Sequence, residues 1–86
     1  MYEWDDGNEE HIARHGVSPW EAEEAVDDRY RIRTEAHSGR RGVVGRTEDG
    51  RLLAVFYEQL GDRVRVVTAR RATATEERAY RRANRR

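Results

Sequence analysis

From Tyr30 to Ala36 the chain alternates, with Tyr30, Ile32, Thr34 and Ala36 on one side of the pattern and Arg31, Arg33 and Glu35 on the other. A period of two marks a half-buried strand. The turn-forming stretch HSGRR leads into a second, shorter strand over 42–47. Asp49-Gly50, a dipeptide suited to the positive φ of hairpin turns, opens a third strand over 51–58. Gly61-Asp62 then turns the chain into RVRVVTA, where Val64, Val66 and Thr68 face one way and Arg63 and Arg65 the other.

Outside the strands the signals are helical. Asp6-Gly7-Asn8-Glu9, Ser18-Pro19-Trp20-Glu21 and Thr73-Ala74-Thr75-Glu76 each set a capping oxygen three residues before a Glu. The first side chain accepts from an orphan backbone N–H, and the Glu reaches back to the N–H of the cap. Pro19 fits the first position of the second helix, Val17 is placed to staple onto Ala22, and Gly16 suits a left-handed residue closing the first helix. These signals predict helices near 7–15, 19–28 and 74–84. The order ααββββα implies one α+β domain over 1–86: two N-terminal helices, a four-stranded antiparallel meander sheet and a C-terminal helix, with the helices on one face.

Composition limits how firmly such a domain can hold together. Two Ile, three Leu, eight Val and one Phe among 86 residues make a thin core, and 40% of the chain is charged. Zero formal net charge argues against disorder, and a thin core suits a protein that leans on a partner. With no Cys, disulfides, thiolate nucleophiles and thiolate metal sites are all removed. The opening MYEWDD is acidic and the longest apolar run is LLAVFY at 52–57, so we expect neither a signal peptide nor a membrane span, and a cytoplasmic protein. Charge is unevenly placed. Residues 1–28 hold ten acids and only Arg14, whereas 63–86 hold nine Arg against Glu76 and Glu77. The basic end suits a polyanion or an acidic protein surface.

His11 and His15, four apart on the first helix, have the spacing of a helical zinc pair. The HExxH pattern needs Glu after the first His, and Ile12 stands there, while His37 lies in a polar turn. The pair reads first as scaffold, sharing one stripe with Ile12, and no metal or other cofactor is expected.

The C-terminal stretch carries more chemistry. If the last strand keeps alternating past Thr68, Arg70 falls on the core side just as the strand ends. A guanidinium there needs a carboxylate, a phosphate or open water. Ala72, Glu76, Ala79, Tyr80 and Ala83 share one stripe of the following helix, so Arg70, Glu76 and Tyr80 can meet. Such a meeting is either an Arg70–Glu76 ion pair with Tyr80 as core, or an anion site in which Arg70 holds phosphate. Arg63 and Arg65, with Arg78, Arg81, Arg82, Arg85 and Arg86, form a basic belt. Trp4, Trp20 and Tyr57 read as core.

YEWD at 2–5, HGVS at 15–18 with Glu21-Ala22, Arg41 before VVG at 43–45, GRLLAVFYE at 50–58, RVRVVTARRA and Glu76-x-x-x-Tyr80 together resemble the BrnT family of toxins, in order from Tyr2 to Tyr80. The chain departs from that pattern at Pro19, at Thr68 and in a first helix without Lys. The resemblance implies a RelE-like ribonuclease fold: a type II toxin that cuts RNA, inhibits translation and growth, and is neutralised by a tight-binding antitoxin. That antitoxin is commonly a ribbon-helix-helix DNA binder, so operator DNA is met only through the complex.

A metal-free endoribonuclease has the ribose 2′-OH attack the adjacent phosphorus, leaving a 2′,3′-cyclic phosphate. It needs an acceptor for the 2′ proton, cations around the phosphorane, and a donor to the departing 5′ oxygen. Arg hardly deprotonates, so Arg70, helped by Arg41 or Arg65, is electrostatic. Tyr80 or Glu76 is the candidate for proton transfer, with His11 or His37 in reserve, and Arg41, Arg63, Arg65 and Arg78 are candidates for RNA contact. The alternative is a non-catalytic module of the same fold that docks an antitoxin or nucleic acid.

Overall fold

Val43 and Val44 are neighbours, both buried, yet they belong to different cores. In the computed structural model, which describes residues 1–85, the chain runs α1 (Asp6–Ala13), α2 (Pro19–Asp27), β1 (Ile32–Thr34), β2 (Arg41–Arg46), β3 (Leu52–Leu60), β4 (Arg63–Arg71) and α3 (Ala74–Ala83). The strands pair antiparallel in chain order, β1-β2-β3-β4, which is the α+β meander that the alternation implies. Successive strand side chains point to opposite faces. Val43, Leu53, Val55, Val66 and Ala69 join Ile12, Val17, Ala22 and Ala25 of the α1–α2 side. Val44, Leu52 and Ala54 join Ala72 and Tyr80 on the α3 side. The sheet is therefore covered on both faces, not on one. The run LLAVFY follows from this, because a strand apolar at every position is one buried on both sides.

The two sides are packed differently. α2 lies so close on β2 that a Cβ added to Gly45 would run into the carbonyl of Ala25, so only glycine lets the helix reach the strand. Asp5, rather than Asp6, caps α1. Its carboxylate accepts from the Asn8 N–H at 3.1 Å, while Asn8 Oδ1 accepts from the Asp5 N–H at 2.8 Å. Asn8 is 5% exposed, and its Nδ2 also donates to the carbonyls of Glu3 (3.0 Å) and Val66 (3.1 Å), which ties α1 to β4. The Ser18–Glu21 and Thr73–Glu76 boxes form as their spacing implies, and Gly16 has a φ of 73°.

Three further expectations need correction. β1 is three residues, not the whole of 30–36. His11 and His15 are exposed, edge to face at 5.8 Å, so Ile12 alone of that stripe is core and the scaffold role is not theirs. Trp20 is 66% exposed, whereas Trp4 and Tyr57 do pack into the core. The alternation also missed a contribution from the N-terminus: Tyr2 bridges Val64 in parallel, covering the free edge of β4.

Candidate functional site

Arg70 reaches the α3 side of the sheet through an irregularity. Phe56 pairs with Thr68 but Tyr57 pairs with Val66, which leaves Val67 as the extra residue of a bulge that shifts the alternation by one. Val66 and Ala69 thus share one face, and Arg70 faces away from them rather than with Val64 and Val66. It meets α3 because that helix covers the second face. Nη1 and Nη2 of Arg70 donate to the two carboxylate oxygens of Glu76 at 2.8 and 3.1 Å, and Nη1 also donates to the Arg71 carbonyl at 3.2 Å. The guanidinium lies 5.5 Å from the centre of the Phe56 ring.

Glu76 is thereby filled: it accepts from Arg70 and from the Thr73 N–H at 2.8 Å. The hydrogen bond from Arg70 outweighs burial and holds its carboxyl below the usual range. Arg70 is not filled. A guanidinium has five N–H groups, and its Nε–H and one Nη2–H, which lie side by side, remain available on a side chain 36% exposed. That free fork has the geometry for a phosphate. The pair itself adds no more than about 1 kcal/mol, being partly open to water.

Tyr80 turns elsewhere. Its hydroxyl donates to Asp28 Oδ2 at 2.6 Å, and its ring is 7% exposed in the second core. Burial, then the bond to Asp28, pushes its hydroxyl up to about 12. Burial alone would raise Asp28, but the Tyr80 hydroxyl and the N–H groups of Tyr30 (3.0 Å) and Arg46 (2.8 Å) hold it low. Asp28 thus ties the end of α2 to β2 and α3. Sequence reasoning missed it, counting it only among the N-terminal acids. The available signal was local, an Asp two residues before Tyr30, where its side chain closes an Asx-turn.

The remaining arginines sort differently from their order in the chain. Arg65 donates to Asp5 at 2.8 Å, and Arg63 lies 3.3 Å from Glu3 as an ion pair without hydrogen-bond geometry. Arg78, exposed on α3, donates to Thr75 at 3.2 Å. The Arg41 side chain makes no hydrogen bond or ion pair among the described residues and lines a cleft of about 630 Å³ with Arg29, Arg31, Arg33 and Arg40. Arg86 lies outside the described residues. Among those described, no three His, Cys, Asp or Glu are grouped to hold a metal ion, and no helix is long and apolar enough to cross a membrane.

Residues 4–76 match the family described as ribonuclease toxin, BrnT, of type II toxin-antitoxin system. The chain belongs to the BrnT family. The family is one of ribonuclease toxins that work opposite an antitoxin, so RNA and an antitoxin are the substrate and partner it implies. The BrnT match includes Arg70 and Glu76 and stops short of Tyr80. No curated protein matches the chain significantly.

Proposed function

We propose that this BrnT-family chain is a metal-independent endoribonuclease whose cutting of RNA inhibits translation and arrests growth until a cognate antitoxin covers it. The observation that carries the reading is the Arg70 guanidinium, anchored on two corners by Glu76 with its other fork open. In this reading the 2′ hydroxyl gives its proton to solvent water and its oxygen bonds to phosphorus as the bond to the 5′ oxygen breaks, giving a 2′,3′-cyclic phosphate and a 5′-hydroxyl end. Arg70 stabilises the equatorial oxygens of the phosphorane, a contribution on the order of 3 kcal/mol for such a donor. Glu76, ionised and saturated with donors, positions Arg70. Tyr80 is the group with a proton for the departing 5′ oxygen, which requires its hydroxyl to leave Asp28. Arg41 and Arg78 contact the RNA directly, and Arg63 and Arg65 do so by exchanging Glu3 and Asp5 for phosphates. The antitoxin is a ribbon-helix-helix DNA binder, and operator DNA is reached only through it, in the cytoplasm.

A second reading has one observation in its favour. Because the Tyr80 hydroxyl is committed to Asp28, it offers no proton to the Arg70 fork in this conformation, as in a module that docks RNA or antitoxin without cutting. Digestion of RNA by purified protein in excess chelator separates the two. Cleavage with cyclic phosphate ends supports the enzyme. Binding without cleavage supports the module, and cleavage restored only by zinc overturns the metal-free mechanism.

A further inference from the structure

Among the described residues, five arginines without an ion pair gather away from the stretch where the sequence concentrates arginine. Arg33 stands on β1, the edge strand, with Arg29 and Arg31 before it, and Arg41 opens β2 across the hairpin with Arg40 just before it. All five line one cleft, together with Val43 and Tyr57, and no acid lines it. Arg31 is fixed by donating Nη1 to the Asp28 carbonyl at 3.1 Å, and the Arg29 guanidinium lies 5.2 Å from the centre of the Tyr30 ring. None of the five has an ion pair among the described residues, whereas Arg51, Arg63, Arg65, Arg70 and Arg81 each do.

Five like charges gathered without a counter-ion repel one another in the free protein and are relieved by a polyanion. The position of the cleft favours one polyanion. Thr34 and Gly42 border it, and Gly42 packs so tightly on Phe56 and Thr34 that an added Cβ would come within 3.0 Å of both side chains. Phe56 in turn carries the Arg70 guanidinium. Val43 and Tyr57 of the cleft belong to the α1–α2 face, whereas Phe56 and Arg70 lie on the α3 face, so the cleft and Arg70 sit on opposite faces of the sheet and are joined around its β1 edge. Arg31 and Arg33 are two apart where the chain enters β1, about 6.6 Å for extended backbone, close to the phosphate spacing of an extended single strand.

We infer that this cleft is a subsite that grips the phosphodiesters of single-stranded RNA as the strand crosses the β1 edge toward the face that carries Arg70. The inference rests on the ribonuclease reading for its substrate but is tested without cleavage. The probe is a fluorescent 2′-O-methyl oligoribonucleotide, which lacks the attacking hydroxyl, and its anisotropy is followed across a salt series. Each phosphate contact on a single strand contributes about 0.7 to the slope of log Kd against log salt. Arg33→Ala with Arg40→Ala should lower that slope by about 1.4 and weaken binding at least tenfold at low salt. Arg14→Glu, an equal change in net charge at the exposed residue that ends α1, should leave the slope unchanged. Arg41→Gln alone, expected to lower it by about 0.7, serves if the double variant does not fold. An unchanged slope in the cleft variants overturns the inference, as does an oligonucleotide that stays bound while an oligoglutamate peptide occupies the cleft. Cleft-dependent binding by a protein that never cuts RNA would instead sink only the ribonuclease reading.

Discussion

Tyr80 donates a hydrogen bond from its hydroxyl to Asp28 across 2.6 Å, joining α3 to the end of α2 over fifty-two residues of chain. Burial together with this contact pushes the Tyr80 hydroxyl up to about 12, and the contact helps hold Asp28 low. In Asp28→Asn the charge is gone but the burial stays, so the Tyr80 ionisation should fall only part of the way from about 12 toward ~10. Difference absorbance between the variant and Tyr80→Phe during alkaline titration isolates that one phenol. Because the folded value is raised, the contribution to stability is complete below pH ~10 and is lost as pH rises through about 12.

Acid should act through the opposite shifts. Asp28 and Glu76 are both held low in the fold, so what they contribute is fully present above pH ~4, the unfolded value, and fades as pH falls through their folded values. Denaturant midpoints between pH 7 and pH 3 should therefore drop more steeply for the parent protein than for Glu76→Gln, which has already lost the ion pair to Arg70.

Gly45→Ala should be the most damaging single methyl. With the Ala25 carbonyl in the way, α2 has to lift off β2, at a cost of about 3 kcal/mol. For a domain this small that corresponds to a fall in melting temperature of ~15 °C. Gly16→Ala, with open space around its Cβ and only a left-handed φ to strain, should lose about 1 kcal/mol. Thermal melts by circular dichroism compare the two directly.

Asn8→Ala leaves the buried carbonyl of Val66, beside the β4 bulge, without its donor and removes the box that caps α1. A loss of about 2 kcal/mol is expected, with faster amide exchange in β4 as well as in α1. Exchange confined to α1 would mean that Asn8 is only a cap.

The parts of the fold written in local chemistry were legible. The Ser18 and Thr73 boxes, the Asp49-Gly50 turn and the meander order all follow from residues adjacent in sequence. What depended on distant partners was not. The bulge at Val67 is created by pairing with β3, so alternation alone put Arg70 on the wrong face, though next to the right residue, Glu76. The five cleft arginines belong to a segment, 29–62, whose seven arginines and five acids look nearly balanced. The hairpin gathers the arginines while Glu48, Glu58 and Asp62 lie elsewhere. Arg63 and Arg65, which seemed the start of the basic belt, are met by Glu3 and Asp5 because the N-terminus lies along β4.

The central claim is that Arg70, steadied by Glu76, holds the phosphate being cut, and single-turnover cleavage of a short RNA tests it most directly. Arg70→Lys keeps the charge but loses the fork, so the cleavage rate should fall at least a hundredfold while affinity for the 2′-O-methyl oligonucleotide changes less than threefold. A variant that cuts at the parental rate would contradict the account.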